Sequence, residues 1–129
     1  MYGAIIGDVV GSTYEFAARK TKSFPLFPSG SDFTDDTIMT IAVAKALMRS
    51  VETDASFDEV LVEEMRQLGE EYPHPKGGYG IRFREWLADP FPMPYNGAGN
   101  GSAMRVSAVA WLFDDLDMVR RMARLSAAV

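Results

Sequence analysis

Ser31-Asp32-Phe33-Thr34-Asp35-Asp36-Thr37 stands immediately before an apolar helical pattern, Ile38, Met39, Ile41 and Ala42. Thr34, Asp35 and Asp36 bring one hydroxyl and two adjacent carboxylates to the start of that helix. A hard, oxygen-rich face of this kind suits Mg²⁺, Mn²⁺ or Ca²⁺. The same residues suit plain capping. Threonine is a good N-cap, and acids in the first turn offset the positive end of the helix dipole. Both readings stand on these seven residues alone, and the rest of the chain must separate them.

Working outward, the pattern predicts helices and no strands. The helix that begins at Asp35 runs to about Arg49, with Ile38, Ile41, Ala42, Ala44, Ala46 and Leu47 distributed almost all round it. A helix apolar on every side belongs at the centre of a bundle. Upstream, a helix from about Tyr2 to Phe16 carries Gly3, Ala4, Gly7, Gly11 and Ser12 at helical spacing. Each glycine costs on the order of 1 kcal/mol relative to alanine, so the stripe calls for close approach by another helix or by a ligand. Asp8 and Glu15 lie roughly along one face of it. Asp8 is placed to orient the neighbours of Glu15 or to cap another element. Glu15 itself reads as a solvated acid or as part of a site.

Residues 17 to 33 form a long connection in which Pro25, Pro28 and Gly30 forbid a helix, with Phe24, Leu26 and Phe27 expected to pin it to a core. Ser56-Phe57-Asp58-Glu59 has the form of a capping box that opens a helix to about Glu71, with Val60, Leu61, Met65 and Leu68 inward. Residues 72 to 78 read as a loop, whose His74 is a surface histidine without a partner. A short helix from Ile81 to Leu87 turns Phe83 and Trp86 inward. After Pro90, Pro92 and Pro94, a helix from about Ser102 to Phe113 is followed by one from Leu116 to Ala128 capped by Asp114. The fold class is therefore all-α, an orthogonal helical bundle.

Asn96-Gly97-Ala98-Gly99-Asn100-Gly101-Ser102-Ala103-Met104-Arg105 is the second signal. Alternate glycines before a helix N-terminus let backbone N–H groups face an anion, and they equally suit a flexible turn with Asn100 or Ser102 as N-cap. The spacing is neither the dinucleotide fingerprint nor a Walker A loop. Arg105 is placed for a phosphate or for a surface carboxylate.

Composition narrows the function classes. With 13 Lys and Arg against 18 Asp and Glu the net charge is -5, and no basic stripe is available to displace counterions from nucleic acid. The absence of cysteine excludes disulfides and thiolate metal sites. Met1–Asp8 lacks the basic start of a signal peptide, and its apolar run breaks at Asp8, so neither a leader nor a membrane span is expected. A cytoplasmic location is the expectation.

Three segments taken together, Gly7-Asp8-Val9-Val10-Gly11-Ser12-Thr13-Tyr14-Glu15-Phe16, Phe33-Thr34-Asp35-Asp36-Thr37-Ile38-Met39-Thr40 and Gly99-Asn100-Gly101-Ser102-Ala103-Met104-Arg105-Val106, occur in this order. The combination resembles the ADP-ribosylglycohydrolase family, which includes dinitrogenase-reductase-activating glycohydrolase. That resemblance implies an all-α fold with a binuclear Mg²⁺ or Mn²⁺ site in a cleft. It also implies hydrolysis of the glycosidic bond joining ADP-ribose to a protein side chain or another acceptor. By the same resemblance Thr34, Asp35 and Asp36 are metal ligands. Gly99, Asn100, Gly101, Ser102, Ala103 and Met104 cradle the diphosphate and adjoining ribose, and Glu15 borders the reacting ribose. Glu15, Asp35 and Asp36 then carry the chemistry, and the partner is an ADP-ribosylated protein or an ADP-ribose derivative.

Chains of that family are about twice this long, with an Asp-x-Asp-Ser/Thr motif in their second half completing the metal site. Here the nearest segment is Asp115-Leu116-Asp117, followed by Met118. Residues 1–129 are accordingly expected to form the N-terminal portion of a single such domain. The metal site is expected to be incomplete, and apolar faces left open for self-association.

Overall fold

A computed structural model describes all 129 residues, Met1–Val129. Seven helices follow one another: α1 (Tyr2–Gly11), α2 (Asp35–Thr53), α3 (Phe57–Glu71), α4 (Ile81–Ala88), α5 (Gly101–Met104), α6 (Ser107–Leu112) and α7 (Leu116–Ala127). There is no strand; one isolated parallel bridge pairs Thr34 with Lys76. The all-α expectation holds, and no helix is long and apolar enough to cross a membrane.

α2 is the central helix, packed against α3, α1, α5 and α6. Its Ala42 and Ala46 are fully buried and small, which lets α3 close on it with Leu61 and Met65. Ile38, Met39, Val43 and Leu47, with the polar Thr37 and Thr40, complete the buried surface of α2. On the α2–α3 seam Glu64 is almost wholly buried, and Lys45 (2.8 Å) and Arg49 (2.9 Å) neutralise it. Burial pushes the Glu64 carboxyl up, but the hydrogen bonds from those two cations outweigh it and hold the group below its usual range. α4 adds Trp86 to the core, with Phe83 stacked on it at 5.5 Å.

Several boundaries differ from expectation. α1 ends at Gly11, not near Phe16: beyond it the ladder gives way to tighter turns (Tyr14 N–H to the Gly11 carbonyl, 2.8 Å), and the Ser12 hydroxyl donates back to the Val9 carbonyl (2.9 Å) and accepts from the Asp32 N–H (3.2 Å). The expected 102–113 helix is two helices broken at Arg105-Val106, where the buried Arg105 guanidinium reaches the Ser126 carbonyl on α7. Arg105 thus pairs with a backbone carbonyl and not with a surface carboxylate, while still lining the cavity beside the glycine run. α7 is capped by Asp115, not Asp114, through the N–H groups of Asp117 and Met118. The Ser56 capping box is not formed, since the Ser56 hydroxyl turns to the Asp58 carboxylate instead.

The long connection is less embedded than its aromatics suggest. Leu26 and Phe27 are exposed, and of the three expected anchors Phe24 alone packs, edge-on to Tyr14 at 5.3 Å. Polar ties hold the rest of it: Tyr14 Oη donates to the Pro25 carbonyl (2.7 Å), and Lys76 Nζ to the Gly30 carbonyl.

Because Leu61 is fully buried against α2, Leu61→Ala should cost about 3 kcal/mol through lost contacts and the cavity left behind. Urea unfolding of the two proteins measures this, and a loss below about 1 kcal/mol would contradict the packing described.

Candidate functional site: an acidic helix start joined to a glycine-rich cleft

The start of α2 is held from outside. The Asp8 carboxylate, projecting from α1, accepts four hydrogen bonds. Two come from Thr34, through its N–H (2.9 Å) and its hydroxyl (2.6 Å), and two from Thr37, through its N–H (3.2 Å) and its hydroxyl (2.5 Å). Thr34 is also the N-cap, its oxygen accepting from the Asp36 N–H at 3.2 Å. Capping is thus done by Thr34 and Asp8. The Asp35 and Asp36 side chains accept no hydrogen bond from another residue and pair with no cation, although both are only half-exposed.

Carboxylates left in that state crowd one another. Burial, then Asp36, with smaller contributions from Glu15 and Asp8, pushes the Asp35 carboxyl up to about 6. Burial, then Asp8 and Glu15, raises Asp36 as well. An uncompensated, partly desolvated acid pair is a poor feature for stability and a good one for a divalent cation. The donor set fits such an ion: two free carboxylates, plus a hydroxyl whose proton is already committed to Asp8. No three His, Cys, Asp or Glu side chains converge closely enough to hold a metal by themselves.

The acidic corner opens into a cavity of about 550 Å³ bounded by Gly7 and Gly11 of α1, Glu15, Asp35, Asp36 and Gly77. Within these residues no helix packs on the glycine stripe of α1. A Cβ at Gly3, Gly7 or Gly11 would meet nothing within 4 Å, and Gly7 and Gly11 face the cavity. Glu15 lies in the turn after α1, over the 77–80 loop. A Cβ at Gly77 would come within 2.9 Å of its carboxylate oxygen.

A second cavity of about 570 Å³ is lined by the 97–101 glycine run, Ser102, Tyr95 and Phe83. The two cavities share Asp35, Gly80, Asn100 and Met104, and so form one cleft, acidic at one end and rich in glycine and aromatic groups at the other. Thr40 of α2 donates its hydroxyl to the Met104 carbonyl (3.3 Å), fixing α5 to the same helix that carries the acids. Of the residues expected in the anion cradle, Gly99, Asn100, Gly101, Ser102 and Met104 line the cleft, whereas Ala103 does not. His74 is exposed and lines neither cavity.

Residues 77 to 80 are absent from the site that sequence reasoning assembles. Gly77 (φ +79°) and Gly78 (φ +76°) occupy left-handed backbone that other residues resist, and they carry the loop into the cleft wall. Tyr79 is buried beside them, its hydroxyl on the Tyr72 carbonyl (2.9 Å), and burial, then Asp35, pushes its phenol up to about 12. The available signal was Gly77-Gly78-Tyr79-Gly80 itself, a second glycine-rich run.

An ADP-ribosylglycohydrolase family model matches residues 1–129, the whole chain. The chain belongs to the ADP-ribosylglycohydrolase family. It is 33% identical over 156 aligned residues to ADP-ribosylhydrolase ARH3 of Homo sapiens, and 32% over 158 to that of Bos taurus, each alignment covering 97% of this chain. ARH3 of Gallus gallus is 30% identical over 161 residues. The chain spans about 41% of the length of these ADP-ribosylglycohydrolase relatives.

The raised Asp35 gives a signed pH dependence for the metal-free protein. Its folded value lies above the ordinary 3.8, so between the two the native state binds more protons than the unfolded state, and stability falls as pH rises through that window. Solvent screening of a half-exposed group reduces the effect to on the order of 1 kcal/mol. Asp35→Asn should remove that component, ending about 1 kcal/mol more stable than the parent near neutral pH and no more stable near pH 4. Urea midpoints across that range decide it, and a parent-to-variant difference independent of pH would count against the crowding described.

Proposed function

We propose that this chain contributes to metal-dependent hydrolysis of the glycosidic bond between ADP-ribose and a protein side chain or other acceptor. The observation that carries the reading is the junction at Asp35, Gly80, Asn100 and Met104, where the cation-seeking end of the cleft adjoins the glycine-rich end. ADP-ribose has matching ends: ribose hydroxyls that ligate a cation, and a diphosphate that backbone N–H groups accept. Family membership and the likeness to the ARH3 proteins support the substrate class.

In this reading Thr34, Asp35 and Asp36 hold Mg²⁺ or Mn²⁺. Bound there, such an ion would supply positive charge for ribose hydroxyls and lower the pKa of a water. Asp35 and Asp36 bring negative charge near the oxocarbenium-like centre that glycoside cleavage develops. Glu15, standing over Gly77, orients the ribose or the water. Gly99, Asn100, Gly101 and Ser102 receive the diphosphate, and Gly77–Gly80 closes the opposite wall. Residues 1–129 are then the N-terminal portion of one domain. The exposed Tyr2, Ile6, Phe91 and Trp111 belong to faces that the rest of the domain or a second copy would cover.

One observation favours a second reading for the 129 residues alone. With only two acids and a hydroxyl in the candidate shell, they would hold ADP-ribose without cleaving it. Calorimetry with ADP-ribose, with and without Mn²⁺, alongside release of ADP-ribose from a modified protein, separates the two. Mn²⁺-enhanced binding that Asp36→Asn reduces at least tenfold is expected. Release of ADP-ribose then marks a hydrolase, and binding without release marks a binding module. Binding indifferent to both Mn²⁺ and Asp36→Asn would refute the cation site.

A further inference from the structure

Asp8 is an obvious third acid for the cation site: it lines the same cavity as Asp35 and Asp36, one residue after Gly7. Its hydrogen bonds argue otherwise. Oδ2 takes three donors, the Thr34 N–H, the Thr37 N–H and the Thr37 hydroxyl, which exhausts its lone pairs, while Oδ1 takes the Thr34 hydroxyl. Coordinating an ion through Oδ2 would break at least one of these bonds and leave a partly buried donor unpaired, which is unfavourable, and Oδ1 is the oxygen committed to the Thr34 hydroxyl proton.

What those bonds accomplish lies in Thr34. A hydroxyl ligates a cation through a lone pair, so its proton must point elsewhere. Asp8 Oδ1 takes that proton at 2.6 Å, and as an ionised carboxylate it can only accept. The Asp36 N–H uses one lone pair of the Thr34 oxygen, and one remains for the cavity that Thr34 lines. Meanwhile the Thr34 and Thr37 N–H groups, which a first-turn acid of α2 would otherwise compete to cap, are satisfied from α1. This is why Asp35 and Asp36 remain without partners.

We infer that Asp8 is a positioning residue outside the coordination shell: it holds the Thr34 proton away from the cavity and caps α2 from a neighbouring helix, which leaves Thr34, Asp35 and Asp36 free for one divalent cation. This rests on the cation site proposed above, and the experiment distinguishes its failure from the failure of that site.

Mn²⁺ is titrated into the 129-residue chain and free ion is followed by electron paramagnetic resonance, for the parent, Asp8→Asn, Thr34→Val and the double variant. Each single change should weaken Mn²⁺ binding by about tenfold, and the double variant should be no weaker than either, because both act through one hydroxyl. Hydrogen exchange in the metal-free protein should quicken at the Thr34 and Thr37 amides of Asp8→Asn and stay unchanged at Ala42 in the middle of α2. If Asp8→Asn does not fold, Thr37→Val, which loosens Asp8 without touching the cavity acids, should weaken Mn²⁺ severalfold. Losses that multiply in the double variant overturn the inference, since Asp8 would then act independently of Thr34, as a ligand or through the fold at large. Unchanged affinity in Asp8→Asn, or in Thr37→Val, overturns it while leaving the cation site intact. A parent that binds no Mn²⁺ removes the cation site, and the inference falls with it.

Discussion

One carboxylate from the first helix closes the start of the second, and the arrangement of the molecule follows from that contact. Asp8 gathers two backbone N–H groups and two hydroxyls at the positive end of the α2 dipole, where a negative charge is favourable. α1 has no fully buried residue. Its place against the bundle is therefore defined less by apolar burial than by this polar lock and by the Ser12 turn that follows. Charge-assisted bonds of this length are among the stronger ones a partly buried site can form.

The lock also sets the character of the cleft. Acids in a first helical turn are ordinarily absorbed by the helix that bears them, which is why Thr34-Asp35-Asp36 alone reads as well for capping as for chemistry. In the folded chain another residue does the capping, and two carboxylates are left crowded and half-desolvated. Such crowding is slightly unfavourable for stability, as is common where function and stability compete.

The helices were legible wherever periodicity reports burial. α2, α3, α4 and α7 follow from their apolar patterns because each presents a stripe or a full surface to one core. Legibility failed where the deciding contact is distant in sequence. Nothing in residues 12–16 announces that the Ser12 hydroxyl will meet the Asp32 N–H, and nothing near Arg105 announces Ser126. Motif order identified the family and most of the cleft lining, including Glu15. The 77–80 loop escaped because left-handed glycines leave no periodic trace. The glycine stripe of α1 had two readings, and only three-dimensional placement shows that its face is open.

Asp36 and Thr40 are one helical turn apart on α2. The first belongs to the acidic corner, and the second is bonded to the Met104 carbonyl beneath the glycine run. A turn advances by about 5.4 Å along the axis, and an α-helix scarcely stretches. The separation between the two ends of the cleft is thus dictated by a rigid rod, not by the loops that furnish its walls. The loops can vary in length and composition without altering that interval, while a one-residue insertion between Asp36 and Thr40 would swing one end about 100° away from the other.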